Sequence, residues 1–281
     1  MPDAHPIRRI MVRANNWIGD VVMISPSLKA LRERYPEARI EIVARPHVAG
    51  CFQKHPWVDD VIVHEPRARH KGPLGFWRLT AELRQRRYDL AVLFQKAFGA
   101  ALMAKLAGVP RRVGYDTDLR ASLLTHAIHE TPQDRLIHHV EYFMRVAREA
   151  GCAPGVFPRR VYFHFDEENR VFADTFLAKH GSSRFTFLAA FATGASKPGR
   201  AWHADRFASL AAHLARERGA GIVVVGGPGD RPEADRILEE VGDAGIDAVG
   251  ATSVRQMAAL IERCRVFVGN VNGSVAAVGE R

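Results

Sequence analysis

Short apolar strands alternate with amphipathic helices along most of this 281-residue chain, and this alternation constrains the fold more than any other feature. The first strand is predicted at 10–13. The helix after it carries Val21, Leu28 and Tyr35 on one apolar face and ends at Pro36. Strands and helices at this spacing indicate βαβ units, in which helices cover both faces of a parallel sheet. The sequence therefore predicts an α/β protein.

The alternation is interrupted once and then restarts. The stretch 151–158 contains Gly and Pro residues and is typical of a crossover between domains. Beyond it, strands are predicted at 185–191, 222–225 and 266–269, with helices between them. Two consecutive halves of this kind predict two Rossmann-like, doubly wound domains over 1–154 and 155–281, with ligands at the carboxyl ends of the strands. With only three readable strands, the second domain is predicted to be incomplete.

The positive charge is concentrated in the first half. Residues 1–150 hold 24 Lys and Arg against 16 Asp and Glu, a net +8, and the remainder holds 16 against 15, a net +1. Two interpretations stay open: a solvated surface of a basic protein, or a first domain that meets nucleic acid, a phosphorylated glycolipid or an anionic membrane.

The three cysteines and the apolar content indicate a cytoplasmic protein. Cys51, Cys152 and Cys264 lie far apart and form no Cys-x-x-Cys pair, which argues against a disulfide framework or a zinc site. No apolar run is long enough to span a membrane, and the first residues do not have the pattern of a signal peptide.

Asp20 is the first candidate for chemistry. It follows the first predicted strand at the start of a helix, where the helix N-terminus stabilises a carboxylate. Gly19 beside it allows a ligand to approach the backbone closely. One interpretation is an ordinary acidic residue at a helix start; the other is a general base at the edge of a cleft.

The second candidate is the segment 193–202, which follows the first strand of the second half. Small and hydroxyl residues with two cations at the end of a strand suit a diphosphate, although a solvated loop is the alternative. The candidate ligand contacts here are Thr193, Ser196, Lys197, Arg200 and Trp202. Gly226 and Gly227 follow the next strand. Their turn is a weak signal, because it lacks both the G-x-G-x-x-G spacing and the P-loop Lys.

Four segments, 10–23, 93–102, 107–115 and 193–202, together resemble the ADP-heptose:lipopolysaccharide heptosyltransferases of glycosyltransferase family 9. The first resembles that family's strand-x-N/S-W-I/V-G-D-V/M-V-M, and its Trp17 and Asp20 are similar to the heptosyltransferase II branch. The resemblance covers essentially the whole chain. It implies a GT-B fold, with the acceptor in the first domain and ADP-heptose in the second.

The same resemblance implies a reaction. L-glycero-D-manno-heptose would pass from ADP-heptose to the heptosylated Kdo–lipid A of the lipopolysaccharide inner core, with inversion at the anomeric carbon. Asp20 would be the base, and Lys197 or Arg200 would stabilise the departing diphosphate. No cofactor is expected, because ADP-heptose is a substrate. No metal and no nucleic-acid partner are expected either. The phosphorylated acceptor implies peripheral contact with the cytoplasmic face of the inner membrane. The residues expected to contact it are Asn16, Trp17, Arg45, Lys96, Arg111, Arg112 and Arg120.

The sequence departs from the family pattern at three points. Arg200 stands where the family has Lys. The nucleotide-sugar motif N-D-S/T-G-x-M-H keeps Asn270 and Gly273 but has Val271 and Ala276 in place of Asp and His. The family also continues beyond position 281, so the chain is expected to be C-terminally truncated. Two alternatives follow: a family-9 transferase with another acceptor or sugar, or an inactive remnant that only binds nucleotide or glycolipid.

Overall fold

The computed structural model describes residues 6–153, 160–195, 199 and 201–270. The chain divides into two compact units between Phe163 and His164. The boundary predicted at 154/155 lies outside the described residues.

Unit 1 is built on a sheet of six parallel strands in the order β3-β2-β1-β4-β5-β6. The strands are β1 Arg9–Arg13, β2 Arg39–Ala44, β3 Asp60–Val63, β4 Leu90–Leu93, β5 Arg111–Tyr115 and β6 His126–Ile128. The helices are α1 Ile18–Met23, α2 Ser25–Arg34, α3 Pro46–Ala49, α4 Gly72–Gln85, α5 Phe98–Leu106 and α6 His139–Glu149. Because all pairs are parallel, the carboxyl ends of the strands meet at one edge, here called the carboxyl edge of unit 1.

Apolar side chains on the central strands account for the core of unit 1. Met11 and Leu93 are fully buried and pack with Leu79 and Leu83 of α4 in one cluster. A strand buried on both faces has an almost continuous apolar sequence, as β1 and β4 have. The predicted α/β class is confirmed.

The single helix predicted after β1 is two helices. Pro26 has no amide hydrogen, so it cannot donate to the Val22 carbonyl one turn earlier. The Ser25 hydroxyl donates to that carbonyl instead, at 2.7 Å, and α2 begins at Ser25. Ser25 Oγ also accepts from the Tyr162 amide at 2.7 Å, which fastens the end of unit 1 to this corner.

Unit 2 has a parallel sheet of four strands in the order β10-β7-β8-β9. The strands are β7 Phe187–Ala192, β8 Ala220–Val224, β9 Gly245–Asp247 and β10 Val266–Gly269. The helices are α7 Glu167–Lys179, α8 Ala204–Arg218, α9 Arg231–Val241 and α10 Val254–Glu262. Strand β9 corrects the expectation of three strands; it was missed because it is three residues long and only Ile246 at its centre is apolar.

Alternate residues of β7 and β8 face opposite helix layers in unit 2. Ala190 and Val223 pack with buried residues of α7 and α10, whereas Phe191 and Ile222 pack with those of α8 and α9. This arrangement is the doubly wound pattern, with helices on both faces of a parallel sheet.

Among the described residues, the cysteines form no disulfide, and all three of them are buried. No helix in the described part of the chain is both long and apolar enough to cross a membrane.

Candidate active site

A cavity of about 340 Å³ opens at the carboxyl edge of unit 1. Its lining comes from four places: the turn after β1 with the first turn of α1, the turn after β4, the segment between β6 and α6, and the start of α6. The residues that define its chemistry are Asn15, Asp20, Lys96, Glu130, His139 and Tyr142. The parallel topology brings these groups together, because β1 and β4 are neighbouring strands that end at the same edge.

Asp20 lies in the first turn of α1, and its side chain is 25 % exposed into this cavity. Burial raises the pKa of Asp20, while a hydrogen bond from Asn15 and the charges of His139 and Lys96 act in the opposite direction. His139 Nδ1 lies 3.9 Å from Asp20 Oδ1. The result is a half-buried carboxyl group with a raised pKa and with the His139 imidazole and the Lys96 ammonium nearby, which suits proton transfer.

Lys96 is oriented by a small polar framework on the other side of the cavity. Its Nζ lies 2.8 Å from Glu130 Oε1, and the Tyr142 hydroxyl donates to the same oxygen at 2.9 Å. The ammonium group also lies 5.2 Å from the centre of the Tyr142 ring, within cation–π range. Tyr142 stacks on Tyr115 of β5 at 4.1 Å, so the framework rests on the sheet.

A second cavity, of about 460 Å³, adjoins the first at the same edge. Asn16 and Trp17 line both cavities, and the second is further lined by Arg45, His47 and Arg67 and by one carboxylate, Glu65. Burial, together with the charge of Arg67, lowers the pKa of Arg45. Arg45 Nε is buried without a hydrogen-bond partner among the described residues. A cationic cavity with an unused donor is suited to an anionic ligand.

Arg120 was expected to contact the acceptor, and its position corrects this expectation. Its side chain has no exposed surface. Arg120 Nε donates to the Tyr115 carbonyl at 2.7 Å, and Nη1 donates to the carbonyl of Gln95. Burial lowers its pKa to about 10. Arg120 therefore joins the ends of β4 and β5 and supports the turn that carries Lys96.

Arg111 and Arg112 were also expected at the acceptor site. They begin β5, so they lie at the amino ends of the strands, on the edge away from both cavities. Their guanidinium groups donate to backbone carbonyls: Arg111 to Glu149 at 3.1 Å and Arg112 to Leu123 at 2.7 Å. They were expected at the acceptor site because β5, which begins with these two arginines, was not recognised as a strand.

The predicted donor residues of unit 2 also gather at one edge. Thr193 follows β7, and Asn270 follows the neighbouring strand β10. Asn270 Nδ2 donates to the Thr193 carbonyl at 2.6 Å, and its Oδ1 accepts from the Trp202 amide at 2.8 Å. Thr193 Oγ1 is buried without a hydrogen-bond partner among the described residues. Asn270 thus holds the two ends of the predicted diphosphate loop.

Gly226 and Gly227 follow β8, the other neighbour of β7. A Cβ on Gly226 would lie 2.7 Å from Asp230 Oδ2, and one on Gly194 would lie 2.7 Å from Asp230 Oδ1. The Gly227 amide donates to Asp230 Oδ2 at 2.8 Å. The glycines therefore allow the Asp230 carboxylate to sit between two strand ends. Ser196, Lys197, Arg200 and Gly273 lie outside the described residues.

Sequence reasoning missed several groups of the first cavity. Glu130 follows β6 and Tyr142 lies in α6. Neither belongs to a motif of its own, so only the fold brings them to Lys96. His139 stands next to His138, and that pair before a helix was the available signal.

Asp116 and Asp118 have the Asp-x-Asp spacing of some metal sites. However, Asp116 is hydrogen-bonded to His129 Nδ1 at 2.8 Å and accepts a hydrogen bond from the Glu130 amide. Among the described residues, no group of three or more His, Cys, Asp or Glu could hold a metal ion.

Comparison with known proteins identifies similar chains. The model of glycosyltransferase family 9 (heptosyltransferase) matches residues 76–274. Lipopolysaccharide heptosyltransferase 2 of Salmonella typhimurium is 27% identical, over 97% of this chain and 80% of that protein.

Two solved structures have the same fold. A family 9 glycosyl transferase from Veillonella parvula has a TM-score of 0.85 at 23% identity, over 98% of this chain and 79% of that one. The ADP-heptose lipopolysaccharide heptosyltransferase II of E. coli has a TM-score of 0.77 at 24% identity, over 96% and 81%.

Proposed function

This chain belongs to glycosyltransferase family 9, and on that premise we propose that it transfers heptose from ADP-heptose to the inner core of lipopolysaccharide. The proposed acceptor is a heptosylated, phosphorylated Kdo–lipid A, and the name of the similar lipopolysaccharide heptosyltransferase 2 supports a lipopolysaccharide acceptor. The reaction is proposed to invert the anomeric carbon. The protein would work in the cytoplasm, in peripheral contact with the inner membrane.

One observation carries the proposal: Asp20 projects into a cavity at the carboxyl edge of unit 1 with a raised pKa and with His139 and Lys96 beside it. In the proposed step, the acceptor hydroxyl oxygen attacks the anomeric carbon of the heptose. The bond from that carbon to the ADP oxygen breaks, and the hydroxyl proton passes to Asp20. The Asn15 hydrogen bond and the charge of Lys96 favour the ionised form of Asp20, and burial makes that form a better proton acceptor.

The two substrates are assigned to different units. The acceptor headgroup would occupy the basic cavity lined by Arg45 and Arg67, with its reacting hydroxyl at Asp20. The donor diphosphate would lie at the Thr193 and Gly226 edge of unit 2, where the unused Thr193 hydroxyl supports hydrogen bonding to an anion. Lys197 or Arg200 would stabilise the leaving ADP by charge. That no metal or cofactor takes part stays a prediction.

The proposal is tested with the purified chain, ADP-heptose and heptosyl-Kdo–lipid A dispersed in detergent. We expect ADP release that depends on the acceptor, and an acceptor mass increased by one heptose. ADP release that does not depend on the acceptor would contradict the proposal. A product with another sugar donor or acceptor, and not with these, would assign a different family 9 reaction.

A second candidate is a protein that binds nucleotide sugar or glycolipid without transfer. The observation in its favour is the sequence itself, because Val271 and Ala276 stand where the donor motif has Asp and His. Calorimetry separates the two: binding of ADP-heptose with no product in the assay would support the second candidate.

A further inference from the structure

Exposed apolar side chains are distributed unevenly over unit 1. Its large exposed hydrophobic residues are Trp17, Val63, Leu74, Trp77, Phe98, Leu119, Leu136 and Tyr162. All but Tyr162 lie at the end of a strand, in the loop after a strand, or in the first turns of the helix that follows. Since every strand is parallel, these positions share the carboxyl edge, where both cavities open. Scattered exposed leucines are ordinary, but concentration along one edge is typical of an interaction surface.

Two of these residues stand among cations. Leu74 is 83% exposed and Trp77 is 56% exposed, one turn apart at the start of α4. The exposed basic residues of the same segment are Arg67, Arg69, Lys71 and Arg78. We call these six residues the α4 patch. The acidic residues facing it are Glu65, which is half-buried, and Glu82, which pairs with Arg69, so four cations stand against two carboxylates over 65–82.

The patch is continuous with the basic cavity. Arg67 belongs to the patch and also lines the cavity with Arg45 and Trp17. Arg78 Nη1 donates to the Arg69 carbonyl at 3.4 Å, which ties the loop to the helix. A surface lying against the patch would therefore meet the mouth of the cavity.

We propose that the α4 patch docks the protein on an anionic lipid bilayer, with Leu74 and Trp77 inserted at the level of the headgroups and the cations against lipid phosphates. Trp and Leu with flanking Lys and Arg are the side chains that suit this interface. Each basic residue near an anionic surface adds attraction, which salt weakens. The inference rests on the proposed function, because the proposed acceptor is embedded in a membrane.

The test is cosedimentation of the full chain with vesicles of phosphatidylcholine, with and without phosphatidylglycerol. Neither vesicle contains sugar nucleotide or glycolipid acceptor. We expect binding to the anionic vesicles that falls as salt is added, and little binding to the zwitterionic ones. Leu74→Ser with Trp77→Ser should weaken binding by at least about tenfold. The matched control is Val171→Ser on α7, which removes a residue of the same exposure, 56%, from unit 2 and should leave binding unchanged.

The charges of the patch are tested separately. Lys71→Glu with Arg78→Glu should abolish the preference for anionic vesicles, whereas Arg84→Glu, near the other end of α4, should have a much smaller effect. Folding of each variant is checked by circular dichroism and by transfer to detergent-dispersed acceptor, which should equal the parent's.

Binding of both double variants at the parent level would overturn the docking surface. The proposal would also be overturned if the parent chain did not bind vesicles but formed a dimer in solution that Leu74→Ser with Trp77→Ser abolished. A second copy of the chain would then be the occupant of the α4 patch. Vesicle binding that follows the expected pattern, with no heptose transfer by the parent, would support docking and contradict the proposed function instead.

Discussion

Two carboxyl groups of unit 1 differ in pKa because different partners surround them. Burial raises the pKa of Asp20 more than its neighbours lower it. Burial also acts against ionisation of Glu41, whose side chain has no exposed surface, but the Tyr88 hydroxyl and Arg39 outweigh it and its pKa is lowered. Arg86 and Arg9 complete the cluster with contacts of 2.9 and 3.1 Å to Glu41 Oε1. Asp20 is suited to accept a proton, and Glu41 is suited to hold three arginines together.

Glu41→Gln should therefore remove a pH-dependent part of the stability of unit 1. An unfolded Glu titrates near pH 4.3 and the folded group titrates lower, so its contribution is present above about pH 4.3 and lost as the pH falls through the folded value. We expect Glu41→Gln to lower the free energy of unfolding at pH 7 by about 2 kcal/mol, less than for a fully buried pair because the arginines are partly exposed.

Urea unfolding measured from pH 7 down to pH 3 checks this prediction. The difference between Glu41→Gln and the parent should shrink as the pH falls. Glu37→Gln, an exposed carboxylate next to the same strand, is the control and should match the parent throughout. A difference that stays constant with pH would show that shape and not charge is what matters at Glu41.

Two buried arginines fix the strand ends that carry the first cavity. Arg13, at the end of β1, donates to the Val43 carbonyl of β2 at 2.8 Å, and burial lowers its pKa to about 9. Arg120 makes the matching connection between the ends of β5 and β4. In each case one guanidinium group donates to backbone carbonyls at the strand ends, close to the turns that carry Asp20 and Lys96.

Replacing Arg120 should destabilise unit 1. Arg120→Met keeps much of the apolar length but removes the donors to two carbonyls, and we expect a loss of about 3 kcal/mol in the free energy of unfolding. Arg111→Met removes a partly exposed arginine at the opposite edge and should cost less than about 1 kcal/mol. Denaturant unfolding followed by tryptophan fluorescence measures both. Equal losses, or no loss in Arg120→Met, would mean that Arg120 does not join the two strands.

The sequence predicted those elements whose local pattern agrees with the fold. The apolar strand β10 was predicted with the bounds that it has. Strand β5 was missed because it begins with two arginines, and the break between α1 and α2 because the effect of Pro26 was not considered.

The candidate site, too, could be predicted only where its residues lie close together in the sequence. Asp20 and Trp17 lie in one short segment and were found together. Glu130 reaches Lys96 only through the pairing of β6 with β5, and Arg120 was placed at the surface because a fully buried Arg is rare. Contacts between neighbouring strands of the sheet cannot be predicted from a local sequence pattern.

At the scale of the whole molecule, the two edges of the unit 1 sheet differ in what they carry. The carboxyl edge holds both cavities, the α4 patch and most of the exposed apolar side chains, while the arginines at the amino ends of strands are used in contacts with Glu41 or with backbone carbonyls. This asymmetry explains part of the net +8 of residues 1–150 without assigning every cation to a ligand.

The central claim is that Asp20 is the base of a heptosyl transfer, and Asp20→Asn tests it most directly. The substitution keeps the shape of the side chain and removes its basicity. In the assay with ADP-heptose and detergent-dispersed acceptor, turnover should fall by at least about 100-fold, while ADP-heptose binding by calorimetry stays within a few-fold of the parent. Asp118→Asn, on the exposed loop after β5, is the control and should transfer at the parent rate. Heptose transfer by Asp20→Asn at the parent rate would contradict the account.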